Sequence, residues 1–507
     1  NSELMLMFNK QLTRDLSLSA NLGGNKMRNI RQDNTSETVG GLIVPGWYNI
    51  RNSASAANSY DETFEKKINS VFASASFGYK SMLYIDLTAR NDWSSTLPDD
   101  NNSYFYPSAG LGFVFSELKP LQNNKIVSFG KVRANWAQVG NDAPTYSVYD
   151  SYSFVNNFDG TPMFTLPNSK NNENLEPEIS TSYEAGLEMK FLKNRIGFDV
   201  TYYTEKIKGQ ILPVAVDPAS GFSSALLNAG DMSNRGIELL LNVTPVKTRD
   251  FNWDINFNWA KNTNKVDTLY GTTNLRLASI FNGSVNATVG QPYGTIIGYA
   301  YERDDNGKII VGEDGIPLRN NTQVALGSVL ADWTAGITNT FTYKGIIASF
   351  LIDMQKGGDF YSLTNMFGNY SGLFEATVFD ENGNDIRANG YVVPDAVKED
   401  GSVNDIAADA QGYWENGYNI TEQHVYDASF VKLREARLGY TFPNSLVKKA
   451  HLTDLTLSIV GRNLWIIDKN VPNIDPEVTV SSGNVQGLEG GALLPTRTIG
   501  INLSFGF

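Results

Sequence analysis

The chain has no cysteine and only two histidines in 507 residues. The first absence removes disulfides, thiolate metal sites and cysteine nucleophiles together. It suits a reducing compartment and equally an exported protein that dispenses with staples, so it does not fix the location. No apolar run approaches the roughly 18 residues that a membrane-spanning helix needs, and a helical membrane protein is excluded. Basic charge is short as well. The 41 Lys and Arg stand against 54 Asp and Glu, a formal net charge of −13. A phosphate backbone needs a basic surface, so no nucleic-acid partner is expected. The opening NSELMLMFNK lacks a basic start followed by a long apolar stretch and does not read as a signal peptide; if the protein is exported, the signal is expected to lie outside these residues. His424 and His451 lie apart, with no Ser/His/Asp or His/Glu/His spacing around either. Both are expected on a surface or rim, and no catalytic residue, metal or cofactor is expected.

What the chain has instead is alternation. In the closing TIGINLSFGF, Ile499, Ile501, Leu503, Phe505 and Phe507 are apolar, while Thr498, Gly500, Asn502, Ser504 and Gly506 are small or polar. A period of two is a β-strand with one oily face. The pattern recurs in DLSLSANL, LYIDLTAR, YEAGLEMKF and FNWDINFNWA, with charged or amide side chains opposite the apolar ones. About 15 such segments occur, near residues 3–8, 12–22, 68–79, 82–90, 107–115, 126–138, 181–191, 195–205, 233–243, 251–261, 332–343, 345–355, 429–442, 453–463 and 496–507. Most run about ten residues, enough to cross a bilayer at a tilt.

The connections alternate in length. Short ones fall at Asn9 to Gln11, Lys80 to Ser81, Leu192 to Asn194, Thr244 to Asp250, Lys344, and Pro443 to Leu452. Long ones are expected at 23–67, 139–180, 262–331, 356–428 and 464–495, with shorter members at 91–106 and 206–232. This is the pattern of an all-β, transmembrane antiparallel β-barrel with tight periplasmic turns and large external loops. The last strand then ends inward, with Phe507 at the periplasmic rim, and the first and last strands point the same way and cannot pair antiparallel. An odd number of further strands is needed to close such a barrel, and seven more would give about 22, the size with a plugged lumen. Soluble β-sandwiches also alternate, but their strands are shorter and their loops do not alternate in length.

Several stretches carry a family resemblance: KVRANWAQVGNDAP, NLEPEISTSYEAGLEMKFLKNRIGFDVTYY, LLNAGDMSNRGIELLLNVTPV, VGQPYGTIIGYAYERDDNGKII, YKGIIASFLIDMQKGGDFYS, SFVKLREARLGYTFP and GRNLWIIDKNVPNIDPEV. On these blocks the chain resembles the SusC/RagA family of TonB-dependent outer-membrane transporters of Bacteroidetes. The resemblance implies a plugged 22-stranded barrel, about 22 being the plugged size, a SusD/RagB-like surface lipoprotein as lid, and uptake of oligosaccharides or peptides driven by the TonB complex. Residues 1–507 resemble the C-terminal part of the barrel, with the plug and first strands expected outside this chain. A passive porin, a structural or adhesive surface barrel, and a secreted carbohydrate-binding β-protein are the alternatives. Lipid and lipopolysaccharide are expected at the outer face.

Candidate solute-binding residues lie in the long loops, where flat rings stand beside amides: Trp93, Phe360, Tyr361, Asn365, Phe367, Tyr370, Tyr413 and Trp414. Rings offer a face to a sugar or peptide side chain, and amides bond hydroxyls or amides. The bland alternative is loop packing. Glu184, Glu188, Lys190, Asp199, Glu238, Asp254, Glu435 and Arg437 oppose apolar faces and are expected to face the lumen or plug, their mixed signs suiting a salt-bridged seat better than an ion-selective pore. Tyr440, Phe442, Phe505 and Phe507 suit an interfacial girdle; terminal aromatics of outer-membrane barrels also serve assembly. Glu302, Asp304, Asn306, Gly307 and Glu313 partly match a calcium-loop template, but Asn306-Gly307 reads more simply as a hairpin turn, a signal repeated in FDENGNDI.

Overall fold

A computed structural model describes residues 1–122, 124–159, 161–479 and 483–507. The expected loops 139–180 and 464–495 include Gly160 and Val480 to Ser482, which lie outside the described residues. One large sheet carries fifteen strands in sequence order. They are β1 (Ser2–Gln11), β2 (Leu16–Leu42), β3 (Ser53–Tyr79), β4 (Leu83–Ser94), β5 (Ser103–Phe113), β6 (Val127–Asn141), β7 (Glu178–Phe191), β8 (Ile196–Ala215), β9 (Ser224–Lys247), β10 (Phe251–Leu269), β11 (Ala331–Tyr343), β12 (Ile346–Gly357), β13 (Phe430–Thr441), β14 (Asp454–Lys469) and β15 (Thr498–Gly506). A sixteenth, Ser169–Lys170, pairs in parallel with the start of β9. Each of the fifteen expected segments overlaps one of these strands.

The chain divides into two compact units. The first comprises Asn1–Phe113, Arg133–Tyr183 and Lys206–Asp231; the second comprises Val114–Val132, Glu184–Glu205 and Met232–Phe507. In the first, β2 and β3 run 27 residues each and stay paired from Leu16 opposite Tyr79 out to Leu42 opposite Ser53. At about 3.3 Å per residue this hairpin is about 90 Å long, far beyond the ten or so residues that cross a bilayer. The expected loop 23–67 is therefore corrected: it is strand through Leu42 and again from Ser53, and only 43–52 at the tip lies outside the two strands. Likewise β4 and β5 pair out to Trp93 opposite Ser103, shortening 91–106, and β8 and β9 extend into 206–232. The cause is solvent. Beyond the bilayer both faces meet water, the apolar alternation stops, and backbone pairing continues without it. The first turn also falls at 12–15, where Leu12 donates to the Leu16 carbonyl, rather than at Asn9 to Gln11.

In the second unit β14 and β15 show what the oily faces do. Ile459 lies opposite Ile501, Leu457 opposite Leu503 and Leu455 opposite Phe505. Among the described residues no second sheet covers them: Ile501 is 78% exposed, Leu503 56% and Phe505 53%. On β13, Leu438 is likewise 60% exposed. A contiguous apolar surface of this kind is what lipid covers. Two buried hydrophobic clusters of the second unit lie elsewhere, in the segments between the strands of the large sheet. Val285, Tyr361, Leu363, Met366 and Leu488 form one, and Val311, Val393, Ala396, Ala408 and Tyr413 a second. Around them stand a four-stranded sheet made of Asn274–Ile280, Gly283–Thr288, Thr295–Tyr301 and Arg319–Ser328, and two short helices, α1 (Leu363–Tyr370) and α2 (Ala410–Gly417).

Candidate functional site

The loop block of the second unit is held by named contacts at the ends of its helices. Ser362 caps α1, its hydroxyl accepting the Asn365 amide at 3.1 Å. Beneath that cap Glu489 is fully buried, and its carboxyl oxygens accept from the Ser362 hydroxyl (2.7 Å), the Thr364 amide (3.0 Å) and hydroxyl (2.6 Å), and the Gly491 amide (2.7 Å). An acidic group suits the first turn of a helix, where backbone N–H groups lack partners. At its other end α1 closes with Leu373 donating to Gly368 and Gly372 to Asn369, the two bonds of a Schellman motif. Gly372 takes φ +69° there, and a Cβ would stand 3.1 Å from an Arg387 nitrogen. Asp409 caps α2 by accepting the Gly412 amide at 2.9 Å.

These ends enclose a cleft of about 410 Å³ walled by Tyr370, Gly372, Arg387, Asp409, Gln411 and Trp414, with Asn369 also on its lining. Arg387 is oriented by neutral oxygens: Nε donates to the Thr377 carbonyl at 3.0 Å, and Nη2 to the Gly372 carbonyl at 2.6 Å and the Thr377 hydroxyl at 2.8 Å. The Asn369 amide oxygen and the Trp414 indole nitrogen are buried without a hydrogen-bond partner among the described residues. Each such group costs about 1–3 kcal/mol.

The ring-bearing candidates separate into two sets. Tyr361 and Asn365 are wholly buried and Tyr413 is 9% exposed; Phe360, named with them, is 2% exposed. Tyr361 donates to the Met366 sulfur, and Asn365 accepts from Asn473 at 2.9 Å and donates to Ser362 and the Pro472 carbonyl. Tyr413 packs edge-on to Tyr391 at 4.8 Å. In this structure these residues pack against their neighbours and present no open face. Trp93 is not in a loop either. It lies on β4, in step with Leu83, Ile85 and Leu87, on the face that carries the apolar side chains. Phe367 and Tyr370 remain open, 39% and 47% exposed, with their rings 6.3 and 5.7 Å from Tyr418. Tyr370 and Trp414 are the two that share the cleft.

The charged strand positions keep out of step with the apolar ones. Lys190 pairs with Glu188 at 3.0 Å on β7, and Arg462 with Glu435 at 3.0 Å. Asp254 accepts from Thr244 at 2.7 Å, Arg437 donates to Ser458 at 2.8 Å, and Asp199 accepts from Thr201 at 3.4 Å. Glu184 and Glu238 lie on β7 and β9. A larger network lies beyond the expected positions: buried Lys432 pairs with Asp475 at 2.6 Å and with Glu477, while Arg434 bridges Glu477 at 2.8 Å and Asp353. Its signal was the opposite charge of two quoted blocks, VKLRE and IDPE. Arg387 and Gln411 had no signal, because only folding brings them to Tyr370.

His424 is corrected from rim to interior. It is 1% exposed, and burial pushes its imidazole down to about 4. The neighbouring Tyr426 hydroxyl is pushed up to about 12 by the same cause. His451 is exposed. At the calcium-like stretch, Asp304 Oδ1 accepts the Asn306 and Lys308 amides at 2.9 and 2.8 Å, closing a hairpin turn with Gly307 at φ +81°. Asp380 repeats this with Asn382 and Asn384.

Lipid-facing strands in one continuous sheet, with ordered loops between them, define an outer-membrane β-barrel. The family described as TonB dependent receptor-like, beta-barrel matches residues 6–464, and the chain belongs to it. TonB-dependent receptor P26 of Formosa agariphila is 28% identical over 550 residues, an alignment that covers 100% of this chain and 53% of that protein. TonB-dependent receptor SusC of Bacteroides thetaiotaomicron is 26% identical, covering 81% of this chain and 41% of that one. Among solved structures, that of the RagAB peptide transporter superposes with a TM-score of 0.77 at 18% identity, covering 100% of this chain and 55% of that one, a likeness of fold. The chain spans about half the length of the curated relatives it matches. The resemblance to the SusC/RagA family carried by the sequence blocks is matched by relatives named as TonB-dependent receptors, SusC among them, and by a RagAB-like fold.

Proposed function

We propose that this chain forms the C-terminal barrel portion of an active outer-membrane importer of oligosaccharides or peptides, working with a SusD/RagB-like surface lipoprotein and with TonB coupling. The observation that carries the reading is the packed loop block of the second unit, which joins an open aromatic cleft to the strands of a TonB-receptor barrel. A passive pore needs no such block. Among the described residues both edge strands have a single partner in the sheet, β2 for β1 and β14 for β15. Further strands, with a plug, would complete the barrel between them, and the mixed charges at Glu188, Lys190, Glu435 and Arg437 would seat that plug.

Copurification tests this. The receptor extracted from outer membranes in detergent is expected to bring a surface lipoprotein with it, and deleting its gene should abolish growth on one class of oligomeric nutrient while small-solute permeability stays the same. Isolation alone, with leakage of small solutes lost on deletion, would favour the porin instead.

A further inference from the structure

We infer that the cleft between α1, α2 and Arg387 is a subsite for the ring of an uncharged sugar within a longer glycan. The inference rests on the importer reading above and adds to it a place and a ligand class. The cleft, about 410 Å³, lies in the range of small-ligand pockets, about 300–1,000 Å³, with room for one or two sugar rings. Its charges cancel: one guanidinium, Arg387, and one carboxyl, Asp409, neither in an ion pair among the described residues. Three bonds to neutral oxygens fix the Arg387 fork and leave Nη1 uncommitted. Asp409 gives one oxygen to the α2 cap and keeps the other. A fixed donor and a fixed acceptor match the hydroxyls of a sugar, each of which donates and accepts. The half-exposed Tyr370 ring supplies a face for its C–H surface, and Trp414 lines the cleft beside it while its ring packs edge-on to Tyr413.

The unpartnered Asn369 oxygen and Trp414 N–H on the same lining are met by the same hydroxyl chemistry once a side-chain rotation exposes them. An extended peptide is the poorer fit. Peptides are commonly held along a free strand edge, and these walls are helix ends and turns. An acidic ligand would meet Asp409, and a basic one Arg387.

Saturation-transfer NMR on the whole receptor complex in detergent tests this, with three probes: a mixture of short uncharged gluco-, manno- and galacto-oligosaccharides, a mixture of short peptides, and a uronate-bearing oligosaccharide. The uncharged sugars are expected to receive saturation. Tyr370→Ala should weaken their binding about tenfold, the loss of one stacked ring, and Gln411→Ala severalfold; both side chains are exposed, so both variants should fold, as heat-modifiable migration would show. Equal sugar binding by wild type and both variants would overturn the subsite and leave the importer standing. Peptide or uronate binding that depends on Tyr370 would overturn the ligand class, and so would binding of no probe by folded receptor. Failure of the importer reading shows separately, as unchanged nutrient growth in the deletion strain.

Discussion

The membrane strands and the packed loop block use their apolar residues in opposite ways. On β15, Ile501, Leu503 and Phe505 alternate along a single ribbon and stay more than half exposed. In the loop block Tyr361, Met366, Leu488 and Val285 come from distant stretches and shut out solvent altogether. The first arrangement needs lipid as its solvent; the second makes a core as a soluble domain does. Stability should then respond to the bilayer in one region and to packing and protonation in the other.

The largest expected effect breaks the lipid side. Ile501→Arg sets a charge on the outer face midway along β15 and should destabilise the folded barrel by about 3 kcal/mol, as cations near the bilayer midplane do. Leu373→Arg, at a loop position 77% exposed, should cost next to nothing. Urea unfolding in vesicles, followed by heat-modifiable gel migration, reads both. Equal costs at the two sites would mean that Ile501 does not face lipid.

The contrast also explains what was legible in the amino-acid order. Where lipid meets one face and water the other, each strand writes its own period, so 332–343, 345–355 and 496–507 emerge as Ala331–Tyr343, Ile346–Gly357 and Thr498–Gly506. Where both faces meet water the period vanishes, and the outer reaches of β2 and β3 read as loop although they pair without a break through Arg28 opposite Lys67 and Asp33 opposite Glu62. In the loop block an aromatic or amide serves a ligand or a core with the same composition. Tyr370 and Tyr361 are alike in sequence, and only the fold separates an open ring from a buried one. The cleft itself joins residues from 369 to 414, a spacing no local pattern records.

A smaller effect sharpens the protonation side. Buried His424 titrates near 4 in the folded loops against about 6.5 when unfolded. Between those values the unfolded segment takes up a proton that the folded one refuses. The stability contributed by the neutral ring is whole above about 6.5 and is lost as pH falls toward 4, on the order of 2 kcal/mol by about pH 5. Hydrogen exchange, corrected for intrinsic rates, should show amides around 410–427 opening faster at about pH 5 than at neutrality while those of β14 do not change. His424→Phe should flatten the dependence. Equal acid sensitivity in β14 and the loop would mean that the two regions melt together.

The smallest expected effect tests a single turn of the loop block. Gly307 holds φ +81° with nothing within 4 Å of where a Cβ would stand, so Gly307→Ala meets no clash and pays only for the left-handed backbone, about 1 kcal/mol. The loss should stay local, since the Asp304 carboxyl still accepts the amides of Asn306 and Lys308. Exchange should quicken at Arg303 to Val311 and nowhere along the membrane strands. A Gly307→Asn variant, whose side chain tolerates that backbone region better, should recover part of the loss. If alanine at 307 instead lowered barrel stability as much as Ile501→Arg, the turn would be coupled to the lipid-facing strands, and the separation between a bilayer-held sheet and a self-packed loop block would not stand.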